Sequence, residues 1–136
     1  MKKSRGISSL LSRLFMTLFL VAGSTICMAQ VTDISQAELM QRIKANQAGL
    51  ILDVRSQGEY ASGHIPGAIN IPHDQLGSRL AEISSYKDKD IVLYCASGGR
   101  VGSAAKTLQP AGFSKLLHLD GDMDGWRSNG ALPIKK

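Results

Sequence analysis

The chain has 136 residues and a formal net charge of +5. Four of its basic residues, Lys2, Lys3, Arg5 and Arg13, fall in the first 29 positions, where there is no acid, and the 12 basic and 11 acidic residues that follow nearly cancel. The excess charge therefore belongs to the amino terminus, and the remainder lacks the clustered basic patch that a nucleic-acid partner requires.

The amino terminus has the order of a secretory leader: a basic start, an apolar run over 14–22 broken only by Thr17, and Cys27 and Ala29 at three and one positions before Gln30. It predicts a signal peptide over 1–29 cleaved after Ala29, and a periplasmic protein with no stable membrane association after cleavage. A spanning helix needs roughly 20 apolar residues, more than this run supplies. An uncleaved anchor is the alternative reading, and a lipoprotein site is disfavoured by the bulky Ile26 before Cys27. Cleavage removes Cys27 and leaves Cys95 alone. A leftover cysteine in an exported protein points to a reactive thiol or an intermolecular bridge, against the bland alternative of a small buried hydrophobe.

From Gln30 onward, 107 residues suit one domain, 30–136, with one core. Ser35 and Glu38 have capping-box spacing and open a helix to about Ala45, with Leu39 and Ile43 on one face. Residues 50–54, Leu-Ile-Leu-Asp-Val, read as a strand buried on both faces. Ser56 and Glu59 repeat the box and start a short helix that fails at Gly63. Pro66 and Gly67 turn the chain into a strand over 68–71, after which Leu76, Leu80 and Ile83 recur at helical spacing. The strand over 91–94 ends directly on Cys95. Val101, Ala104, Ala105 and Leu108 mark a helix closed by Pro110 and Gly112, followed by a strand over 116–119 and a short helix around Trp126. Alternating strands and helices predict an α/β fold, a largely parallel central sheet flanked by helices on both faces. Ligands of such sheets bind beyond the carboxyl ends of the strands, where Cys95 sits.

The segment Cys95-Ala96-Ser97-Gly98-Gly99-Arg100 follows that strand end. Its small residues and two glycines let the backbone curl around the sulfur with amides turned inward, and a helix starting near Arg100 adds its positive end. Such settings favour the nucleophilic thiolate, lowering a cysteine pKa from about 8.5 to roughly 3.5–7.5. Hydroxyls of Ser97 and Ser103 could add donors.

The sequence here resembles the rhodanese family over nearly all of residues 30–136. Residues 60–71, Tyr-Ala-Ser-Gly-His-Ile-Pro-Gly-Ala-Ile-Asn-Ile, with Asp53-Val54-Arg55 before them, look like its amino-terminal signature. Residues 95–100 look like its active-site loop, and Gly121-Asp122-Met123-Asp124-Gly125-Trp126 with Gly130-Ala131-Leu132-Pro133 like its closing segment. Length and leader are most similar to single-domain periplasmic thiosulfate sulfurtransferases.

The resemblance implies a double displacement. Cys95 is the catalytic nucleophile, and Ala96, Ser97, Gly98, Gly99 and Arg100 bind a small anionic sulfur donor. A Cys95 persulfide passes its sulfur to a thiophilic acceptor such as cyanide, a thiol or a protein partner, with no metal or organic cofactor. Two positions depart from the pattern. Asp122 replaces a usual glycine, where it would repel an anion or cap the Trp126 helix, and Val101 replaces a small or hydroxyl residue.

Arg100 is left open between a direct substrate contact and an outward side chain. Asp53, Arg55 and Glu59 are read as a structural ion-pair network, and His64 as orienting the turn before Pro66. His73 and His118 are read as structural or solvated, and Trp126 as core. A phosphatase or arsenate reductase is the reading from another class, disfavoured by the four residues between Cys95 and Arg100 where phosphatase loops have five. A noncatalytic binding module is disfavoured by the complete loop, and a persulfide carrier serving a protein partner remains the alternative.

Overall fold

Strand side chains alternate between faces, and in the central strands that alternation assigns each residue to one of two layers. The computed structural model describes residues 30–136, so the signal-peptide reading of 1–29 lies outside the described residues. Its strands are β1 (Thr32–Ile34), β2 (Leu50–Asp53), β3 (Ile69–Asn70), β4 (Ile91–Tyr94) and β5 (Leu116–Leu119). Its helices are α1 (Gln36–Lys44), α2 (Gln57–Ala61), α3 (Gly99–Leu108) and α4 (Asp122–Ser128). All strand pairs are parallel, in the order β1-β5-β4-β2-β3.

Leu50 and Leu52 of β2, Ile91 and Leu93 of β4, and Cys95 beyond it pack on one face, beneath Val101, Ala104, Ala105 and Leu108 of α3. Ile51, Val92 and Tyr94 point the other way, against Leu39 of α1 and Met123 and Trp126 of α4. Both central strands are buried throughout, as a sheet covered on both faces requires. The expected α/β architecture is present. Trp126 is fully buried and its indole N–H donates to the Pro133 carbonyl at 2.8 Å, which satisfies the one polar atom it carries into the core. Among the described residues no helix is long and apolar enough to cross a membrane.

Two elements differ from the sequence reading. The edge strand β1 was not anticipated, because only Ile34 of its three residues is buried and no apolar run announces it. Residues 76–86 form two 3-10 segments, Leu76–Ser78 and Leu80–Tyr86, in place of a regular helix. Leu76 and Ile83 are buried as their spacing implies. Gly77 and Ser78 lie between them and Ser84 just beyond, and the hydroxyls of Ser78 and Ser84 donate to the carbonyls of Gln75 and Ala81 three residues back. Such local bonds compete with α-helical pairing.

The end of β2 is tied to the following loop by a buried ion pair. Asp53 is 0% and Arg55 2% exposed. The guanidinium reaches the carboxylate through Nη2 at 2.7 Å and Nε at 3.0 Å, and Nη2 also donates to the Gly63 carbonyl at 2.9 Å. This matches the expected structural role for Asp53 and Arg55. His64 is also structural: its ring stacks on Tyr60 at 3.7 Å, Nδ1 lies 2.9 Å from the Tyr60 carbonyl, and its backbone bridges Lys135.

Arg55→Met strands the Asp53 carboxylate in the interior and should destabilise the protein by about 3–5 kcal/mol. Adding Asp53→Asn should recover part of that loss. Urea midpoints of the two variants, read with their m-values, check both statements.

Candidate active site

β4 carries the chain to the rim of the sheet, and Cys95 emerges there still buried, at 1% exposure. Its backbone is held on both sides by the start of α4. The Cys95 N–H donates to Asp122 Oδ1 at 3.0 Å, and the Met123 N–H donates to the Cys95 carbonyl at 3.0 Å. One residue on, the Asp124 N–H donates to the Ala96 carbonyl at 3.0 Å. The chain then reverses at Gly98, whose φ of 109° is open to glycine and strained for other residues. That turn aims the Gly98 N–H at Cys95 Sγ, 3.0 Å away.

α3 begins at Gly99, so its first amides have no intrahelical acceptor. Among the described residues, the amides of Ser97, Gly99 and Arg100 have no protein acceptor. They and the Gly98 amide provide N–H groups at the helix start beside the sulfur, a setting that suits an anion. The Ser97 side chain is exposed and makes no hydrogen bond among the described residues. Ser103 lies on the exposed side of α3 and does not donate to the loop.

Arg100 is paired with a carboxylate. Its guanidinium lies against Glu59 of α2, with Nη1 and Nη2 at 2.7 and 2.9 Å from the two carboxylate oxygens. Glu59 is itself fixed by the α2 capping box, accepting from Ser56 N at 2.9 Å and Ser56 Oγ at 2.8 Å. The hydrogen bond to Glu59 raises the guanidinium pKa above its ordinary value, with a weaker contribution from Cys95. Arg100 also lines a cleft of about 190 Å³ with Ser56, Gln57, Pro72, His73, Asp74 and Gln75.

Three residues require correction. Glu59 is in an ion pair, but its direct partner is Arg100 and not Arg55. Asp122 is not an α4 cap: Gly121 is the N-cap and no side chain caps the helix. Its carboxylate, 2% exposed, accepts the Cys95 amide and lies 2.9 Å from His118 Nε2. His118, read as structural or solvated, thus reaches the site through Asp122. The spacing of four between His118 and Asp122 was visible, but the strand-to-helix turn that folds one back on the other was not. Val101 is buried in the same core cluster as Cys95.

A buried thiol beyond a central parallel strand, with a glycine turn delivering amides to it, defines a cysteine-based anion site on an α/β scaffold. The chain belongs to the rhodanese-like family: the model of the rhodanese-like domain matches residues 35–129. It is 36% identical over 104 residues to a sulfurtransferase of Allochromatium vinosum, covering 76% of this chain and 94% of that protein. It is 44% identical over 103 residues to the HTH-type transcriptional regulator Rv0324 of Mycobacterium tuberculosis, covering 74% of this chain and only 43% of that one. The crystal structure of a rhodanese-related protein from Thermoplasma volcanium superposes with a TM-score of 0.65 at 29% identity, covering 76% of this chain and 97% of that one. Relatives so different in purpose share the domain, so the substrate has to be argued from the site.

The Arg100 hydrogen bonds lower the Glu59 pKa from 4.5 to about 2, with smaller help from Ser56. A carboxyl depressed on folding contributes stability that is complete above its unfolded value and is lost as pH falls toward the folded one. Wild type should therefore exceed Glu59→Gln in stability by a constant margin above about pH 4.5. The margin should shrink between 4.5 and 2, and stay modest throughout because the pair is partly solvent-screened. Denaturant titrations of both proteins across that range check it.

Proposed function

We propose that this protein is a sulfurtransferase that carries sulfane sulfur from thiosulfate, or a similar small donor, through a Cys95 persulfide to a thiophilic acceptor. The observation that carries the reading is the Gly98 N–H aimed at Cys95 Sγ beside the amides of Ser97, Gly99 and Arg100. In the first half-reaction the Cys95 thiolate attacks the outer sulfur of thiosulfate. A bond forms between the two sulfurs, the sulfur–sulfur bond of thiosulfate breaks, and sulfite leaves with the electron pair. In the second, cyanide or a thiolate attacks the outer persulfide sulfur and the Cys95 thiolate is restored. One difficult transfer becomes two easier ones. The amides stabilise sulfur-borne charge and, being held by Gly98 and the α3 start, need no reorganisation.

Arg100 has a more restrained role on this reading. Its charge is balanced by Glu59, so it shapes the rim and orders the loop more than it attracts a dianion. The cleft bounded by Arg100 and His73 offers the acceptor its approach. The compact loop, with four residues between Cys95 and Arg100, favours a sulfur atom over a tetrahedral phosphate. The leader-like order over 1–29 supports export, and on this reading the work is done in the periplasm.

Cys95→Ser should reduce thiosulfate:cyanide sulfur transfer to background while thermal melting stays cooperative. Mass spectrometry of wild type after thiosulfate should find one added sulfur on Cys95. Aryl phosphates should be left essentially untouched. A folded Cys95→Ser protein that still transfers sulfur would remove Cys95 from the mechanism.

Export has its own test. Protein recovered from an exporting host should begin at Gln30 and lie in the periplasmic fraction, whereas Met1 in a membrane fraction would identify the leader as an anchor.

A further inference from the structure

Asp122 is a buried carboxylate under a loop otherwise suited to anions. Its backbone has φ of 53°, a left-handed conformation that is uncommon outside glycine, though less so for aspartate. The position is held by what the side chain does. Oδ1 accepts the Cys95 N–H at 3.0 Å, and the two carboxylate oxygens lie 3.1 and 2.9 Å from His118 Nε2. The carboxylate also abuts the turn itself: a Cβ placed on Gly98 would stand 3.1 Å from Asp122 Oδ2. The negative charge is therefore next to both residues that form the sulfur's hydrogen bond, Cys95 and Gly98.

The charges around the thiol do not favour a dianion. The Arg100 cation is matched by Glu59. On the other side, His118 lies between Asp122 and, at 3.8 Å, the exposed Asp33, so even an imidazolium there faces two carboxylates. The loop and helix-start amides remain as the positive end of the site, opposed from below by Asp122. A buried charge acts through a medium of low effective dielectric, and its effect grows in proportion to the charge it meets.

Resting on the sulfur-transfer reading, we infer that Asp122 is a specificity-determining residue that ranks donors by charge, favouring sulfane donors with at most one negative charge over dianionic thiosulfate. A thiosulfonate reacts by the same step. The Cys95 thiolate attacks the outer sulfur, its sulfur–sulfur bond breaks, and a sulfinate leaves with the electron pair, giving the same persulfide. Methanethiosulfonate and thiosulfate therefore differ at the reacting end mainly by one charge. Asp122 acts through the field and through the Cys95 amide, and does not touch the transferred sulfur.

The test compares kcat/KM for thiosulfate and for methanethiosulfonate, with cyanide as acceptor, in wild type, Asp122→Asn and Asp122→Gly. In a double displacement the donor's kcat/KM reports the first half-reaction alone, and any change in the thiol itself cancels in the ratio of donors. Asparagine keeps an acceptor for the Cys95 N–H and tolerates the left-handed backbone. Asp122→Asn should raise the thiosulfate value about tenfold and the methanethiosulfonate value about threefold, because the field acts twice as strongly on a dianion. Asp122→Gly removes the backbone bond as well, so absolute rates can fall, but the ratio should shift toward thiosulfate by about threefold again.

An unchanged ratio in both variants, with persulfide still formed on Cys95, overturns the charge ranking and leaves Asp122 as a structural strut. If wild type forms no Cys95 persulfide from either donor, the sulfur-transfer reading itself fails and the ranking goes with it. A merely structural loss would slow both donors by one factor.

Discussion

The site depends on how the backbone leaving β4 is fastened to the start of α4. Three hydrogen bonds make the fastening: Cys95 N–H to the Asp122 carboxylate, Met123 N–H to the Cys95 carbonyl, and Asp124 N–H to the Ala96 carbonyl. Buried backbone groups must find partners, and past the end of β4 the sheet no longer supplies them on the α4 side. With Cys95 and Ala96 held, the chain reverses at Gly98, and that reversal points an amide at the sulfur. The placement of Sγ, the donor it receives and the start of α3 all follow from this one attachment.

Around that anchor, charged side chains from different elements meet in pairs. Arg100 is paired with Glu59, and Asp122 is approached by His118. Asp53 and Arg55, deeper in the sheet, are joined in a buried pair that also catches the Gly63 carbonyl. The first pair links α2 to α3 across the site, and the second links β5 and α4 to the cysteine. The cation at the rim is thus matched by Glu59, and the pull on an anion is left to backbone amides, with the Asp122 carboxylate opposing them. Fixed dipoles of that kind stabilise developing charge without a counter-ion that must be displaced.

Much of the fold was legible in local patterns. The apolar runs at 50–54 and 91–94 identified the central strands because strands covered on both faces show little alternation. Ser35 and Ser56 marked the starts of α1 and α2, and both hydroxyls accept the amide of the glutamate three residues on. β1 has no signature in the sequence, because an edge strand held by its backbone buries only Ile34. The segment after Leu76 misled because the spacing of buried leucines and isoleucines is similar in α and 3-10 turns, whereas serine hydroxyls decide which one forms.

By itself, the sequence determined the class of chemistry: Cys95 at a strand end, followed by alanine, serine and two glycines, specifies a thiol in a tight backbone curl, since each residue type acts there through its own size and φ range. Tertiary structure alone decided which charges meet. Glu59 and Arg100 are 41 residues apart and Cys95 and Asp122 are 27 apart. The chain-local rules that recognised a capping box at Glu59 and a helix start at Asp122 contain no term for either contact. Those contacts exist because parallel strand order brings the carboxyl ends of β2, β4 and β5 to one edge of the sheet. The loops that follow them must share that edge, and side chains distant in sequence find one another there.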